Sequence, residues 1–141
     1  MELDIARLLK KGVIIRVEPD RAITGALQSS ADALLAEAGK LAKDDPVKSF
    51  TRSYDAVFAA CRAFMLSSGY RLKLEPDHRT LLQFCELTVD DTCAGIIRQF
   101  QAAEIRRHHE MYSGSFSIDE AEAIALLGRA SLLVQRLKPA I

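Results

Sequence analysis

The chain has 141 residues, 49% of them apolar and 27% charged, the composition of one ordinary globular domain rather than a disordered segment. Nineteen Lys and Arg balance nineteen Asp and Glu, for a formal net charge of zero. That balance argues against binding of long nucleic acid by bulk electrostatics and leaves a local basic patch for such a role.

Residues 2–11 carry Leu3, Ile5, Leu8 and Leu9 and form a short helix that Gly12 stops. Val13 to Val17 is β-like, but a lone strand makes no sheet, so it reads as an extended linker packed on the core. Glu18-Pro19-Asp20 opens a long helix, with Pro in its first turn, to about Lys43; its stripe is Ile23, Leu27, Ala31, Leu34 and Ala38. Asp45-Pro46 is a restart, Asp as N-cap and Pro at the first helical position. This helix runs to about Ser68 and is ended by Gly69.

Phe50, Tyr54, Val57, Phe58, Cys61, Phe64 and Met65 share one face of that helix, and Ala56, Ala59, Ala60 and Ala63 lie on another. Small residues on a second face let a second helix approach closely, which makes this the central helix. Residues 70–77 read as a polar loop, and Asp77 caps a helix over about 78–88. Asp90-Asp91-Thr92 separates it from a helix over about 92–112, closed by Ser113-Gly114. Ser117-Ile118-Asp119-Glu120 reads as a capping box that starts the last helix, to about residue 138. The fold class is all-α: one domain over residues 1–141, an up-and-down bundle of five to six helices.

The three cysteines, Cys61, Cys85 and Cys93, fit no zinc or redox spacing and read as buried reduced thiols. With no signal pattern and no apolar run long enough to span a bilayer, the expectation is a cytoplasmic protein without a membrane partner.

Chemistry concentrates in Glu104 to Tyr112. The stripe Cys93, Ile97, Phe100 continues as Glu104, His108 and Met111, with Arg107 at its edge and Tyr112 on the same side. An apolar stripe that turns ionisable near a helix end either lines a cleft or frays into solvent. Adjacent His108 and His109 point about 100° apart, and Glu104 with His108 gives two ligands only, so no metal site is expected. Cys61 or Cys85 with His108 would be a nucleophile–base pair without a supporting motif. Arg106 and Arg107 suit phosphate oxygens, and His suits acid–base work near neutral pH. A second basic group, Arg71, Lys73, His78 and Arg79, follows the central helix, whose side carries Arg62. No Gly-rich phosphate loop is present in the sequence.

The segment Arg52 to Arg71, RSYDAVFAACRAFMLSSGYR, resembles the central helix of HEPN domains: Tyr, a small residue, an aromatic, an Ala-rich stretch, an apolar pair, then Gly and a basic loop. The next helix of HEPN domains often begins with a His, as at His78, and the Asp45-Pro46 break and Leu8-Leu9-Lys10-Lys11-Gly12 before an extended stretch fit a bacterial branch of that family. So does Arg106-Arg107-His108-His109-Glu110-Met111-Tyr112. The resemblance covers essentially the whole chain.

The resemblance implies a helical bundle, commonly a homodimer, that cleaves RNA as a toxin, partners a minimal nucleotidyltransferase in a toxin–antitoxin pair, or binds RNA or nucleotides, with no cofactor. Catalytic members place a His four to six residues after an Arg. Here that position is Tyr112, a poor base with an ordinary pKa near 10. The expected catalytic residues, if any, are Arg107, His108 and Tyr112. The expected nucleotide- or RNA-binding set is Arg106, Arg107, His108, His109, Tyr112, Arg62 and His78. Three readings follow: a divergent binding protein, a metal-independent endoribonuclease using Arg107 with His108 or His109, or a helical module for dimerisation or partner binding alone.

Overall fold

A computed structural model describes the backbone of residues 2–114 and 117–138, and the side chains of these residues except 2, 3 and 110–113. The order is α1 (Glu2–Lys11), β1 (Ile14–Arg16), α2 (Arg21–Leu41), α3 (Pro46–Ser67), β2 (Tyr70–Leu72), α4 (His78–Thr88), α5 (Asp91–Ser113) and α6 (Glu120–Leu137). The architecture is an all-α bundle around α3, which packs against α2, α6 and α4, with α5 closing on α4 and α6.

Aspartate sets where the helices begin. The side chains of Asp20, Asp45, Asp77, Asp90 and Asp119 each accept a hydrogen bond from a backbone N–H in the first turn that follows, at 2.8–3.2 Å. Each satisfies a donor that the helix itself leaves unpaired. Two starts differ from the sequence reading. Pro19 precedes the cap at Asp20 instead of lying in the first turn. The last helix is capped by Asp119, with Glu122 three residues on, and not by Ser117, whose carbonyl serves another purpose described below. Gly69 ends α3 with φ +92°, a conformation that L side chains rarely adopt.

The stretch at 13–17 is not a lone linker. Ile14, Ile15 and Arg16 pair antiparallel with Leu72, Arg71 and Tyr70, so residues 70–72, read as loop, are a strand. Val17 N–H to the Gly69 carbonyl and Lys73 N–H to the Val13 carbonyl extend the ladder. Two three-residue strands are too short to hold alone. This pair holds because Ile14 and Leu72, directly opposite, are both buried in the core.

The largest of the other fully buried side chains are Phe50, Phe84, Phe100, Met65, Leu81, Ile97 and Leu133. Each contributes about 1.5–3 kcal/mol of apolar transfer. The small face of α3 is used as its composition requires: Ala56, Ala59, Ala60 and Ala63 are all buried. The α2–α3 approach is close enough for the Ser49 hydroxyl to donate across it to the Ala38 carbonyl at 2.8 Å. One turn on, the fully buried Ser53 hydroxyl has no hydrogen-bond partner among the described residues. An unpaired buried hydroxyl costs about 1–3 kcal/mol. Ser53→Ala is therefore expected to raise the urea midpoint, by about 1 kcal/mol of stability after the lost packing is counted; a lower midpoint would show that the hydroxyl is paired after all.

Among the described residues no helix is long and apolar enough to cross a membrane.

Candidate functional site

The α3 helix places Tyr54, Asp55 and Phe58 toward the start of α4. His78 is the first residue of α4, fixed there by the Asp77 cap. The Tyr54 hydroxyl and His78 Nδ1 are 3.2 Å apart, and the His78 ring lies against Phe58 with centroids 3.9 Å apart. Behind them, fully buried Phe100 of α5 backs the Tyr54 ring, centroids 6.4 Å apart.

In front of this aromatic group α4 and α5 leave a cavity of about 580 Å³. Its lining is Tyr54 from α3, His78, Arg79 and Leu82 from α4, and Gln101, Glu104 and Ile105 from α5. The α5 residues recur at helical spacing, so one face of that helix forms a whole wall. Glu104 is held from behind: Arg107 grips both its carboxylate oxygens, Nε at 3.1 Å and Nη2 at 2.9 Å. Gln101 donates weakly to Glu86 at 3.4 Å.

The electrostatics of this corner follow from partial burial. Burial, then the nearby Glu104 charge, pushes the Tyr54 phenol far above its usual range, so it stays protonated. The hydrogen bonds to Glu104 hold Arg107 charged against its own desolvation. Burial raises the Asp55 carboxyl although Arg52, Arg107 and His78 all favour its charged form. A carboxyl whose folded pKa exceeds its unfolded one binds its proton more tightly in the native state. It lowers stability as pH rises through the folded value and has no such effect below the ordinary aspartate range. Asp55→Asn is accordingly expected to raise the thermal midpoint at pH 7, with the gain disappearing as the pH falls below about 4. A gain that persists at pH 3 would contradict the cause given.

The residues singled out from sequence separate into groups. His78 and Arg107 belong to one cluster around Tyr54: His78 shares a hydrogen bond with its hydroxyl, and the Arg107 charge acts on it. Arg106 does not join them: its guanidinium pairs with Glu122 of α6 at 2.9 Å and donates to the Ser117 carbonyl at 3.1 Å, tying α5 to α6. Arg62 pairs with Glu75 at 3.5 Å and does not line the cavity. His108 and His109 are exposed, and the Tyr112 side chain lies outside the described residues.

The inward stripe of α5 thus runs Ile97, Phe100, Glu104, Arg107, and not on to His108. The reason is α3, whose Tyr54 and Asp55 lie on the Arg107 side of this helix end. The cysteines are buried, whereas His108 is exposed. Cys61 and Cys85 are fully buried, Cys85 donating to the Cys61 carbonyl, and burial pushes the Cys85 thiol well up and Cys93 up to about 11. No three His, Cys, Asp or Glu residues among the described residues converge as a metal site.

Sequence reasoning put Tyr54 and Phe58 in the core and did not single out Leu82, Gln101 or Ile105. One signal was available: a Tyr on an otherwise apolar stripe needs a partner for its hydroxyl when buried. Neither any known protein-family model nor any curated protein matches this sequence.

Proposed function

We propose that the chain is an HEPN-like helical protein that binds a nucleotide, or one nucleotide unit of a single-stranded RNA, in the cavity between α4 and α5. The observation that carries this reading is the cavity itself, about 580 Å³ and mixed in lining. That volume lies within the ordinary range for small-molecule sites. Leu82 and Ile105 offer apolar surface to a base, Gln101 and Glu104 offer hydrogen bonds to its edge, and Arg79 with His78 offers donors to phosphate. A chain of zero net charge suits a short ligand of this kind better than a long duplex.

The same reading makes the protein a binder and not a nuclease. Glu104 occupies the Arg107 fork, and Tyr112 stands where catalytic relatives of this type place His. Metal-free incubation with RNA is expected to give no cleavage; cleavage that Arg107→Ala abolishes would restore the endoribonuclease reading. The homodimer, the minimal nucleotidyltransferase partner and the toxin–antitoxin setting are proposals carried by the resemblance of 52–71 and 106–112, and a cytoplasmic location is proposed from the free, buried cysteines. Sedimentation of the protein alone and with such an enzyme tests the first two.

Titration calorimetry with mononucleotides and short single-stranded RNA tests the central proposal. Ile105 lines the cavity yet is 60% exposed, so Ile105→Glu leaves the core intact and sets a negative charge at the rim. Saturable binding that this variant weakens at least about tenfold, 1.4 kcal/mol, is the expected result. Binding that the variant leaves unchanged would place the ligand elsewhere.

A further inference from the structure

His78 has two ring nitrogens, and the protein uses one. Nδ1 is engaged by the Tyr54 hydroxyl, while Nε2 has no hydrogen-bond partner among the described residues and belongs to a ring that lines the cavity. The phenol is protonated, and a phenol O–H is a stronger donor than a neutral imidazole N–H, whereas the imidazole lone pair is the better acceptor. Tyr54 therefore donates to Nδ1, and neutral His78 carries its proton on Nε2. When the ring is charged, Nδ1–H donates to the phenol oxygen and Nε2 still carries a proton. In both states His78 presents a donor to the cavity. The Phe58 ring, packed against the imidazole, holds its plane.

The next residue, Arg79, lines the same cavity, is exposed, and forms no ion pair among the described residues. Across the cavity the other guanidinium nearby, Arg107, is taken by Glu104. Anion-binding capacity is thus lopsided: two donors with open valences on α4, and a carboxylate on α5.

We propose that His78 Nε2–H and the Arg79 guanidinium form the anion end of the cavity and take the phosphate monoester of a nucleotide, with Tyr54 as the positioning residue that fixes the His78 tautomer. This rests on the nucleotide reading above and adds the ligand class and its orientation: phosphate at the α4 start, base toward Gln101 and Ile105.

The test compares adenosine 5′-monophosphate with adenosine by calorimetry, and follows the His78 ring nitrogens by long-range ¹H–¹⁵N correlation. Expected are a protonated Nε2 in the neutral ring of the free protein, loss of that tautomer preference in Tyr54→Phe, and a monophosphate affinity at least tenfold above the nucleoside's. His78→Ala and, independently, the exposed-site variant Arg79→Ala should each shrink that monophosphate advantage. Equal affinity for the two ligands would overturn this inference and leave the nucleotide reading standing. Binding of neither would overturn both. A neutral His78 with its proton on Nδ1 in the free protein would overturn the role given to Tyr54, whatever binds.

Discussion

Phe100→Ala is expected to lower unfolding stability by about 3–5 kcal/mol and to disable the cavity at the same time. Phe100 is fully buried where α5 meets the core, and its ring backs Tyr54, which in turn positions His78. Truncation removes the transfer energy of a benzyl group and leaves a hole that the helices close only in part. Urea unfolding measures the first effect. The second is read at a denaturant-free temperature where the variant is still folded: the His78 ring resonances should lose their fixed environment. A stability loss below about 1 kcal/mol would mean that α5 is not docked through Phe100.

Ala38→Leu is expected to cost about 1–3 kcal/mol, at the upper end of that range, by overpacking. Ala38 is fully buried on α2, and its carbonyl accepts from Ser49 of α3 at 2.8 Å, so the backbones have no room for a larger side chain between them. The substitution should also break that hydrogen bond by forcing the helices apart. Ala36, exposed on the same helix, is the control: Ala36→Leu should change the urea midpoint little. Equal effects at the two positions would contradict the close α2–α3 approach.

The sequence made the helices visible because their boundaries are chemically marked. Asp45-Pro46, Asp77 and Gly69 act through local hydrogen bonds and local φ preference, and the structure uses all three. The β1–β2 pair was hidden because its strands lie more than fifty residues apart and each is three residues long. Nothing local distinguishes Tyr70–Leu72 from a polar loop; burial of Leu72 against Ile14 is what makes it a strand.

The site was half legible for the same kind of reason. His78 and Arg107 stood out as ionisable residues at helix ends, but their meeting point, Tyr54, lies on the central helix, 24 residues from His78. At 100° per residue α5 alone places His108 inward, but Tyr54 and Asp55 of α3 lie near Arg107, and His108 is exposed. Arg106 looked like a phosphate ligand beside Arg107, yet one residue's rotation turns it to Glu122 and the Ser117 carbonyl, where it serves the α5–α6 contact.

Nucleotide binding in the α4–α5 cavity is the central proposal. Backbone amide mapping by NMR tests it most directly, with ¹⁵N-labelled protein titrated with adenosine 5′-monophosphate. The account requires saturable shifts concentrated at Tyr54, His78, Arg79, Leu82, Gln101 and Ile105. Shifts centred on α2 or α6, or none up to millimolar ligand, would contradict it.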